Sequence, residues 1–295
     1  MTDNYINKQT FRQKLSDYKK TPFSLIAMLL VFVSAIITIG ALLFLVIYIF
    51  VKGIPNLSPQ LFALRYTSRN QSMLPALINT VIMTFLSLLI AVPIGVFSAV
   101  YLVEYAKRGS KLVKLIRITA ETLSGIPSIV YGLFGFILFV ITLGWGYSLL
   151  AGALTLAIMI LPLIMRTTEE ALIAVPDSYR EGSFGLGAGK LRTVFKIIIP
   201  AAIPGILSGV ILAIGRIVGE SAALIFTAGS YAQVPKSIMS SARTLSVHMY
   251  TLLSEGLYTK QAYATAVVLL VLVAGINALS GYLAKRLTSV GVKGD

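Results

Sequence analysis

The chain has no cysteine and very little charge. Disulfide bridges and thiolate metal sites are excluded, because none of the 295 residues is cysteine. The single histidine, His248, lacks nearby carboxylate or thiolate ligands, so it predicts neither a metal site nor a catalytic triad. Charged residues make up only 12% of the chain, whereas a soluble domain has about 25%. These absences argue against a soluble domain, and against a membrane enzyme with clustered catalytic side chains.

Long apolar runs take the place of the missing charge. The composition is 57% hydrophobic, with a mean hydropathy of +0.87. No charged residue occurs in residues 21–51, 70–103, 122–165 or 261–284, and residues 201–230 contain only Arg216 and Glu220. About 20 apolar residues cross a bilayer, so residues 122–165 hold two spans, turned near Trp145. We therefore predict an all-α integral membrane protein with six transmembrane helices, at residues 22–51, 75–103, 122–143, 147–166, 203–229 and 262–284.

The net charge of +14 is explained by membrane topology. With both termini in the cytoplasm, 18 of the 25 Lys and Arg residues lie in inside segments and six in outside segments. This distribution satisfies the positive-inside rule. The basic residues lie beside the spans and form no face with interleaved aromatic residues, so nucleic acid is not an expected partner. The apolar run from residue 22 is about twice as long as a signal-peptide core, so we expect it to stay attached as the first span.

A polar segment between the fourth and fifth predicted spans has a distinctive spacing. It begins with Glu181, Gly182 and Ser183, and Gly187 follows after three residues. After nine more residues come Ile197, Ile199 and Pro200. Glycine at position 187 permits a tight turn and the close approach of a partner surface. Glu181 can cap or pair across that turn, and Pro200 is expected to fix the exit into the fifth span.

This spacing resembles the docking loop of ABC-importer permeases, whose pattern is Glu-Ala-Ala, three residues, Gly, nine residues, Ile-x-Leu-Pro. Gly182 and Ser183 replace the two alanines, and Ile199 replaces the leucine. Residues 125–135 and 215–224 are in turn similar to the permease subunits of bacterial phosphate ABC importers. Residues 219–223 and 254–256 are closer to the PstA-type subunit than to its PstC-type partner.

The resemblance implies a fold, a set of partners and a location. It covers residues 73–284 and implies an ABC-importer type I permease core with a cytoplasmic docking segment at residues 166–200. Outside it, the distribution of charge and apolar residues predicts a cytoplasmic tail at residues 1–21, the first span with an external loop at residues 22–72, and a second cytoplasmic tail at residues 285–295. The implied complex lies in the bacterial cytoplasmic membrane. It contains a PstC-type second permease, two copies of a PstB-type ATPase and a PstS-type external phosphate-binding protein.

The chain itself is expected to be no enzyme and to bind no cofactor. Gly189 and Lys190 suggest a nucleotide-binding loop, but Phe184 and Leu191 stand where a first glycine and a Ser or Thr are required. ATP is therefore expected on the partner ATPase. The docking spacing does not separate phosphate from other oxyanions such as molybdate, sulfate or a phosphonate. It argues against an ion-driven secondary transporter.

Two charges lie inside the fifth predicted span. Arg216 and Glu220 are four residues apart, so in a continuous helix they share a face and can pair. A charge at mid-membrane costs about 2.5–3.5 kcal/mol on insertion scales and is a functional hypothesis by default. We expect Arg216 to be the transient ligand of an oxyanion and Glu220 its tether; the alternative is a structural ion pair. Glu121, before the third span, is either a third member of this group or an interfacial charge.

Overall fold

The computed structural model describes residues 22–107 and 109–291, and the regular elements of that part are helical. The predicted tail at residues 1–21 and the final residues 292–295 lie outside the described residues. The α-helices are α1 Pro22–Gly53, α2 Leu74–Val100, α3 Lys111–Ser124, α4 Ser128–Gly135, α5 Leu149–Ile173, α6 Asp177–Gly185, α7 Lys190–Thr193, α8 Ile199–Gly219, α9 Ala222–Thr227, α10 Leu245–Ser254 and α11 Thr259–Gly291. Short 3-10 turns follow α1 at Ile54–Asn56 and Pro59–Phe62. Turns of π-helix extend α2 at Tyr101–Tyr105 and α4 at Phe136–Thr142, and join α7 to α8 at Val194–Ile198.

The number of spans agrees with the prediction. Five helices are long and apolar enough to cross a membrane. The pair formed by α3 and α4 makes a sixth when it is counted as one bent span. The all-α, six-span prediction is confirmed.

Helix α1, as far as Val51, forms one compact unit, and the described residues from Lys52 onward form a second. It is 32 residues long and apolar on all sides, with its only basic residue, Lys52, in the last turn. A helix without a polar face suits a lipid environment. Its apolar side chains, Ile36 and Phe44 among them, are exposed along its length.

The interior of the second unit lies between α2, α5 and α8. Met83, Leu156 and Ile217 are among its buried side chains. Helix α8 approaches α5 closely at Gly209, where an added Cβ would lie 2.0 Å from Oγ1 of Thr167. Small residues let membrane helices pack backbone to backbone. This packing fixes α8, which carries Arg216, against the centre of the bundle.

The third span differs from the prediction because the chain bends before it. Helix α3 occupies residues that were expected to be an inside loop, and it meets the α4 segment at an angle of 102°. Pro127 explains the bend, since it has no N–H to donate and disfavours helix in the residue before it. The third span is therefore the bent pair of α3 and the α4 segment, and not a single helix that begins at residue 122. Helix α3 keeps apolar residues such as Leu115 exposed.

The boundaries of the fourth and fifth spans also shift. Helix α5 continues to Ile173, seven residues beyond the predicted end at residue 166. The fifth helical run begins at Lys190 and ends at Gly219, whereas residues 203–229 were expected. The π turn directly before Pro200 widens the backbone ladder where proline cannot donate a hydrogen bond, so the helix continues through it.

The connection from α9 to α10, residues 228–244, lies at the end of the bundle opposite to the docking segment. Helix α5 defines the two ends, because it begins beside this connection and ends at the docking segment. The N–H of Leu149 donates to the carbonyl of Ser240 at 3.0 Å, and the N–H of Leu245 donates to Oγ1 of Thr80 at 2.8 Å. The start of α10 is thereby fixed to α2 and α5.

Candidate docking and translocation sites

The docking segment, residues 166–200, turns at Gly187. This glycine has φ +80°, in the left-handed region that favours glycine. Its N–H donates to the carbonyl of Phe184 at 2.9 Å, and the N–H of Ala188 donates to the carbonyl of Ser183 at 3.1 Å. These two bonds form a Schellman motif, which ends α6. The tight turn predicted at Gly187 is confirmed, and its cause is backbone conformation, because an added Cβ would meet nothing within 4 Å.

The outer surface of this turn is apolar but uncovered. Leu186 is 91% exposed, and Tyr179, Phe184 and Leu191 are also exposed. Charged residues flank these side chains, so the surface does not resemble the continuous apolar surface of a span. An apolar patch rimmed by polar residues marks a surface that binds a partner protein.

The first three predicted docking residues take different positions. Glu181 and Gly182 are exposed on α6 and available to a partner. Ser183 points inward and is buried, with its Oγ 2.8 Å from Oγ1 of Thr193. Ser183 therefore joins α6 to α7 and takes no part in the outer surface.

Arg180 ties the docking helix to two spans. Its Nε and Nη2 donate to Oε1 of Glu104 at 3.2 and 2.7 Å, just beyond the end of α2. Its remaining bonds go to the carbonyls of Leu172 (3.0 Å) and Val175 (2.9 Å) at the end of α5, and to Oδ1 of Asp177 (3.1 Å). Sequence reasoning missed this role, because Glu104 is 76 residues away along the chain.

The last part of the docking segment is packed and not free. Ile198 is completely buried beside Leu172 in a cluster that joins the docking segment to the ends of α2 and α5. The predicted residues Ile197 and Ile199 are half-buried at the edge of that cluster. Pro200 is exposed inside the continuous helical run, so the expectation that it fixes the exit from a loop is wrong.

Arg216 and Glu220 do not share a helix face. Helix α8 ends at Gly219, and Glu220 has an extended backbone with φ −74° and ψ 130°. Oε1 of Glu220 accepts a hydrogen bond of 3.1 Å from the N–H of Ala223, at the start of α9. A carboxylate is favoured there by the unpaired N–H groups of a helix N-terminus. The predicted pairing within one helix is wrong, and Glu220 instead caps the following helix.

Arg216 is left without an acidic partner among residues 22–107 and 109–291. It is half-buried in the last turn of α8, where helix carbonyls favour a positive charge. Tyr131 of α4 lies close enough to interact electrostatically with its guanidinium. A positive charge therefore lies at the break between α8 and α9 without an acidic partner among the described residues.

Glu121 belongs to a different place. It is exposed on α3 and lines a cavity of 290 Å³ between α3 and α5, together with Arg117, Arg166, Glu169 and Glu170. Arg117 pairs with Glu169, and Arg166 pairs with Glu170 at 3.1 Å. Neither Arg216 nor Glu220 lines this cavity, so Glu121 is not a third member of their group.

Lys190, which suggested a nucleotide-binding loop, lies at the start of a helix and contacts an aromatic ring. It begins the helical run of the fifth span, and its Nζ lies 5.1 Å from the centre of the Tyr105 ring. A lysine over an aromatic face is a cation–π contact. In the part of the chain that the structure describes, no three His, Cys, Asp or Glu side chains are grouped as metal ligands.

Two buried polar residues at the opposite end were not identified from the sequence. Arg243 was counted as an external charge and His248 as a residue without a role, yet they are only 4% and 0% exposed. Both lie around the ring of Tyr66, with the Arg243 guanidinium 4.5 Å and the His248 ring 6.0 Å from its centre. Tyr66 is distant from Arg243 and His248 in sequence, so no local pattern could have joined it to them.

Sequence comparisons agree with the geometry. Residues 91–289 match the family described as binding-protein-dependent transport system inner membrane component. The chain is 37% identical over 225 residues to the probable ABC transporter permease protein YqgI of Bacillus subtilis, covering 71% of this chain and 76% of that one. It is 38% identical over 205 residues to the phosphate transport system permease protein PstA of Mycobacterium leprae, covering 68% and 67%. With PstA of Pasteurella multocida the identity is 42% over 179 residues, covering 60% and 63%.

Solved structures show the same fold. The bacterial alginate ABC transporter in complex with its periplasmic protein contains a chain that superimposes with a TM-score of 0.66, covering 92% of this chain and 97% of that one at 16% identity. A chain of the inward-facing MetNI methionine transporter superimposes with a TM-score of 0.56, covering 72% of this chain and 93% of that one at 22% identity. These likenesses establish the permease fold of the chain.

Proposed function

We propose that this chain, which belongs to the family of binding-protein-dependent transport system inner membrane components, is the transmembrane permease subunit of an importer that takes up inorganic phosphate. Permeases of this family are multi-pass membrane proteins that work with an ATPase and a substrate-binding protein. The observation that carries the proposal is the docking segment. It presents an uncovered apolar turn at Leu186 on a helix that Arg180 bonds to two spans.

The partner on the docking surface is an ATPase of the PstB type, present in two copies. The exposed Phe184 and Leu186 fit an apolar groove on such a subunit, and the exposed Glu181 lies beside them. ATP is bound and hydrolysed there, and this chain contributes no cofactor. The complex is completed by a PstC-type second permease and a PstS-type external binding protein.

The ATPase can move the spans because the docking helix is attached to them. When the two ATPase subunits close on ATP, each displaces its docking helix. Arg180 carries that displacement to Glu104 after α2, and to the carbonyl of Leu172 at the end of α5. Packing of Ile198 transmits it to α8. Helix α8 carries Arg216, so movement at the docking surface reaches the cargo site.

Phosphate is the cargo that the observations support best. Several relatives at 36–42% identity carry the name of phosphate transport permease. Arg216 supplies the matching chemistry, because a guanidinium offers paired N–H donors to an oxyanion and stays charged when buried. With no acidic partner among the described residues, it can hold an anion briefly and release it. On this proposal the complex lies in the bacterial cytoplasmic membrane, with both termini of the chain in the cytoplasm.

Transport measurements with the assembled importer test this function. Proteoliposomes that contain both permeases, the ATPase and the external binding protein should accumulate labelled phosphate only when ATP is supplied on the ATPase side. Sulfate, molybdate and a phosphonate serve as alternative cargoes. Preferential uptake of one of these would transfer the proposal to that oxyanion, and uptake independent of ATP would reject an ABC importer.

A further inference from the structure

The backbone of Arg243, at the end of the bundle opposite to the docking segment, is anchored by hydrogen bonds on both sides. Its N–H donates to the carbonyl of Tyr231 at 3.0 Å, and its carbonyl accepts from Nδ2 of Asn79 at 3.2 Å. Two residues further on, the N–H of Leu245 donates to Oγ1 of Thr80 of α2. The direction of the Arg243 side chain is therefore fixed by α2 and by residues 228–244.

The guanidinium of Arg243 is buried with unused donors. The side chain is 4% exposed, and neither Nε nor Nη2 has a hydrogen-bond partner. In the described residues, no carboxylate forms an ion pair with it. Nε and Nη2 form one edge of the guanidinium, and their two parallel N–H groups are the fork that binds carboxylate or phosphate oxygens. A buried cation without an acceptor is unfavourable, so this edge calls for an anionic ligand.

His248 adds a second polar group without a partner. It is completely buried, and neither ring nitrogen makes a hydrogen bond of normal distance and angle; the Gln71 backbone is close enough to interact weakly with the ring, which opposes the lowering of its pKa. Burial and the positive charge of Arg243 lower the pKa of His248 to about 3. The ring is therefore neutral near pH 7, with one N–H donor and one acceptor nitrogen. A partly protonated phosphate can use both, because it carries acceptor oxygens and P–OH donors, whereas sulfate at that pH has acceptors only.

The pair is connected to the site at Arg216. Ser246, between Arg243 and His248 in sequence, donates from its hydroxyl to the carbonyl of Glu220. The start of α10 thus contacts the break that follows Arg216. Because both Arg243 and His248 are buried, the side chains that cover them, Tyr66 among them, must move aside before an ion can reach them.

We propose that the Nε–Nη2 edge of Arg243, together with the imidazole of His248, binds phosphate on its way from the outer face to Arg216. This inference rests on the proposed function as a phosphate importer. It adds a second oxyanion site, at the end of the bundle away from the ATPase. Tyr66 stacks on the guanidinium and keeps it oriented while the site is empty.

Thermal unfolding of the assembled complex, without its external binding protein, tests the site directly. Added inorganic phosphate should raise the melting temperature of the wild-type complex, and chloride at equal ionic strength should not. Arg243→Lys keeps the charge but loses the fork, so the half-saturating phosphate concentration should rise at least about tenfold. Arg69→Lys, on an exposed external arginine, is the matched control and should behave as wild type.

Two further variants keep the test decisive. His248→Phe retains a ring beside Tyr66 and removes both nitrogens, so it should also weaken the phosphate effect, even if Arg243→Lys fails to fold. Lys236→Gln, on an exposed lysine of the same connection, should preserve the phosphate effect, because it leaves Arg243 and His248 intact. Three results would each overturn the inference: a phosphate-induced rise in melting temperature in Arg243→Lys or His248→Phe equal to that of wild type, no such rise in wild type, or the same rise with chloride. Phosphate uptake by wild type alongside any of these results would leave the proposed function standing; absence of phosphate uptake would reject that function separately.

Discussion

Arg180 and Glu104 join the docking helix to the end of the second span through two hydrogen bonds to a single carboxylate oxygen. The distances are 2.7 Å from Nη2 and 3.2 Å from Nε, and the side chains are only 16% and 8% exposed. An ion pair that is largely shielded from water is geometrically more definite than a surface pair. This ion pair, called the Arg180 joint below, therefore couples a displacement of α6 closely to a displacement of the end of α2.

Replacing Arg180 should uncouple ATP hydrolysis from transport. Arg180→Gln removes the bonds to Glu104 and to the carbonyls at the end of α5, while the exposed docking surface is kept. We expect the phosphate transported per ATP hydrolysed to fall about tenfold, equivalent to about 1.4 kcal/mol of lost coupling. The measurement is simultaneous uptake and ATPase activity in proteoliposomes.

A matched variant separates the joint from the general charge of the segment. Arg192 is exposed on α7, so Arg192→Gln removes one positive charge without touching the joint. Its transport per ATP should stay within twofold of wild type. Equal losses in the two variants would mean that net charge, and not the bond to Glu104, matters for coupling.

Arg216 and Glu220 should differ in importance. Arg216→Gln should nearly eliminate phosphate uptake while assembly and basal ATPase activity survive, because it removes the positive charge that meets the anion. Glu220→Gln should impair uptake less, since the amide oxygen can still accept the Ala223 N–H at the start of α9. Initial uptake rates of the two variants decide this, and wild-type uptake by Arg216→Gln would reduce Arg216 to a structural charge.

The docking segment could be predicted from sequence because its features are local. A glycine at a fixed distance from Glu181 was sufficient to place the turn, and the structure gives Gly187 the left-handed φ of +80° that such a turn needs. The spans could be predicted for a similar reason, since a run of apolar residues is visible without tertiary structure.

The break after Gly219 could not be predicted in the same way. Apolar residues continue on both sides of it, and the new helix is marked by the extended backbone of Glu220 and by the hydrogen bond from Ala223 to the Glu220 carboxylate. The joint at Arg180 and the pair at Arg243 depend on residues distant in sequence. A single sequence has no signal that brings Glu104 to Arg180, or Tyr66 to Arg243.

Reporter fusions test the orientation of the chain in the membrane. A reporter active only outside the cytoplasm should be active when it is fused near Arg65 or Lys236, both of which are exposed. It should be silent near Lys111, Lys190 or Lys293. Arg243 lies in the same predicted external stretch, but it is buried, so an insertion there would disturb packing. A single inverted result would require a different assignment of the spans.

The most direct test of docking compares two glycines of the same segment. Gly182 and Gly187 both have free space around an added Cβ, but only Gly187 has a positive φ. Gly187→Val should insert normally in the membrane, lose ATP-driven phosphate uptake and retain less ATPase on purification, because valine does not tolerate the left-handed turn. Gly182→Ala should transport at the wild-type rate. ATP-driven phosphate uptake in proteoliposomes is the deciding measurement: uptake by Gly182→Ala but not by Gly187→Val is predicted, and wild-type uptake by a well-expressed Gly187→Val variant would contradict the assignment of this segment as the site where the ATPase docks.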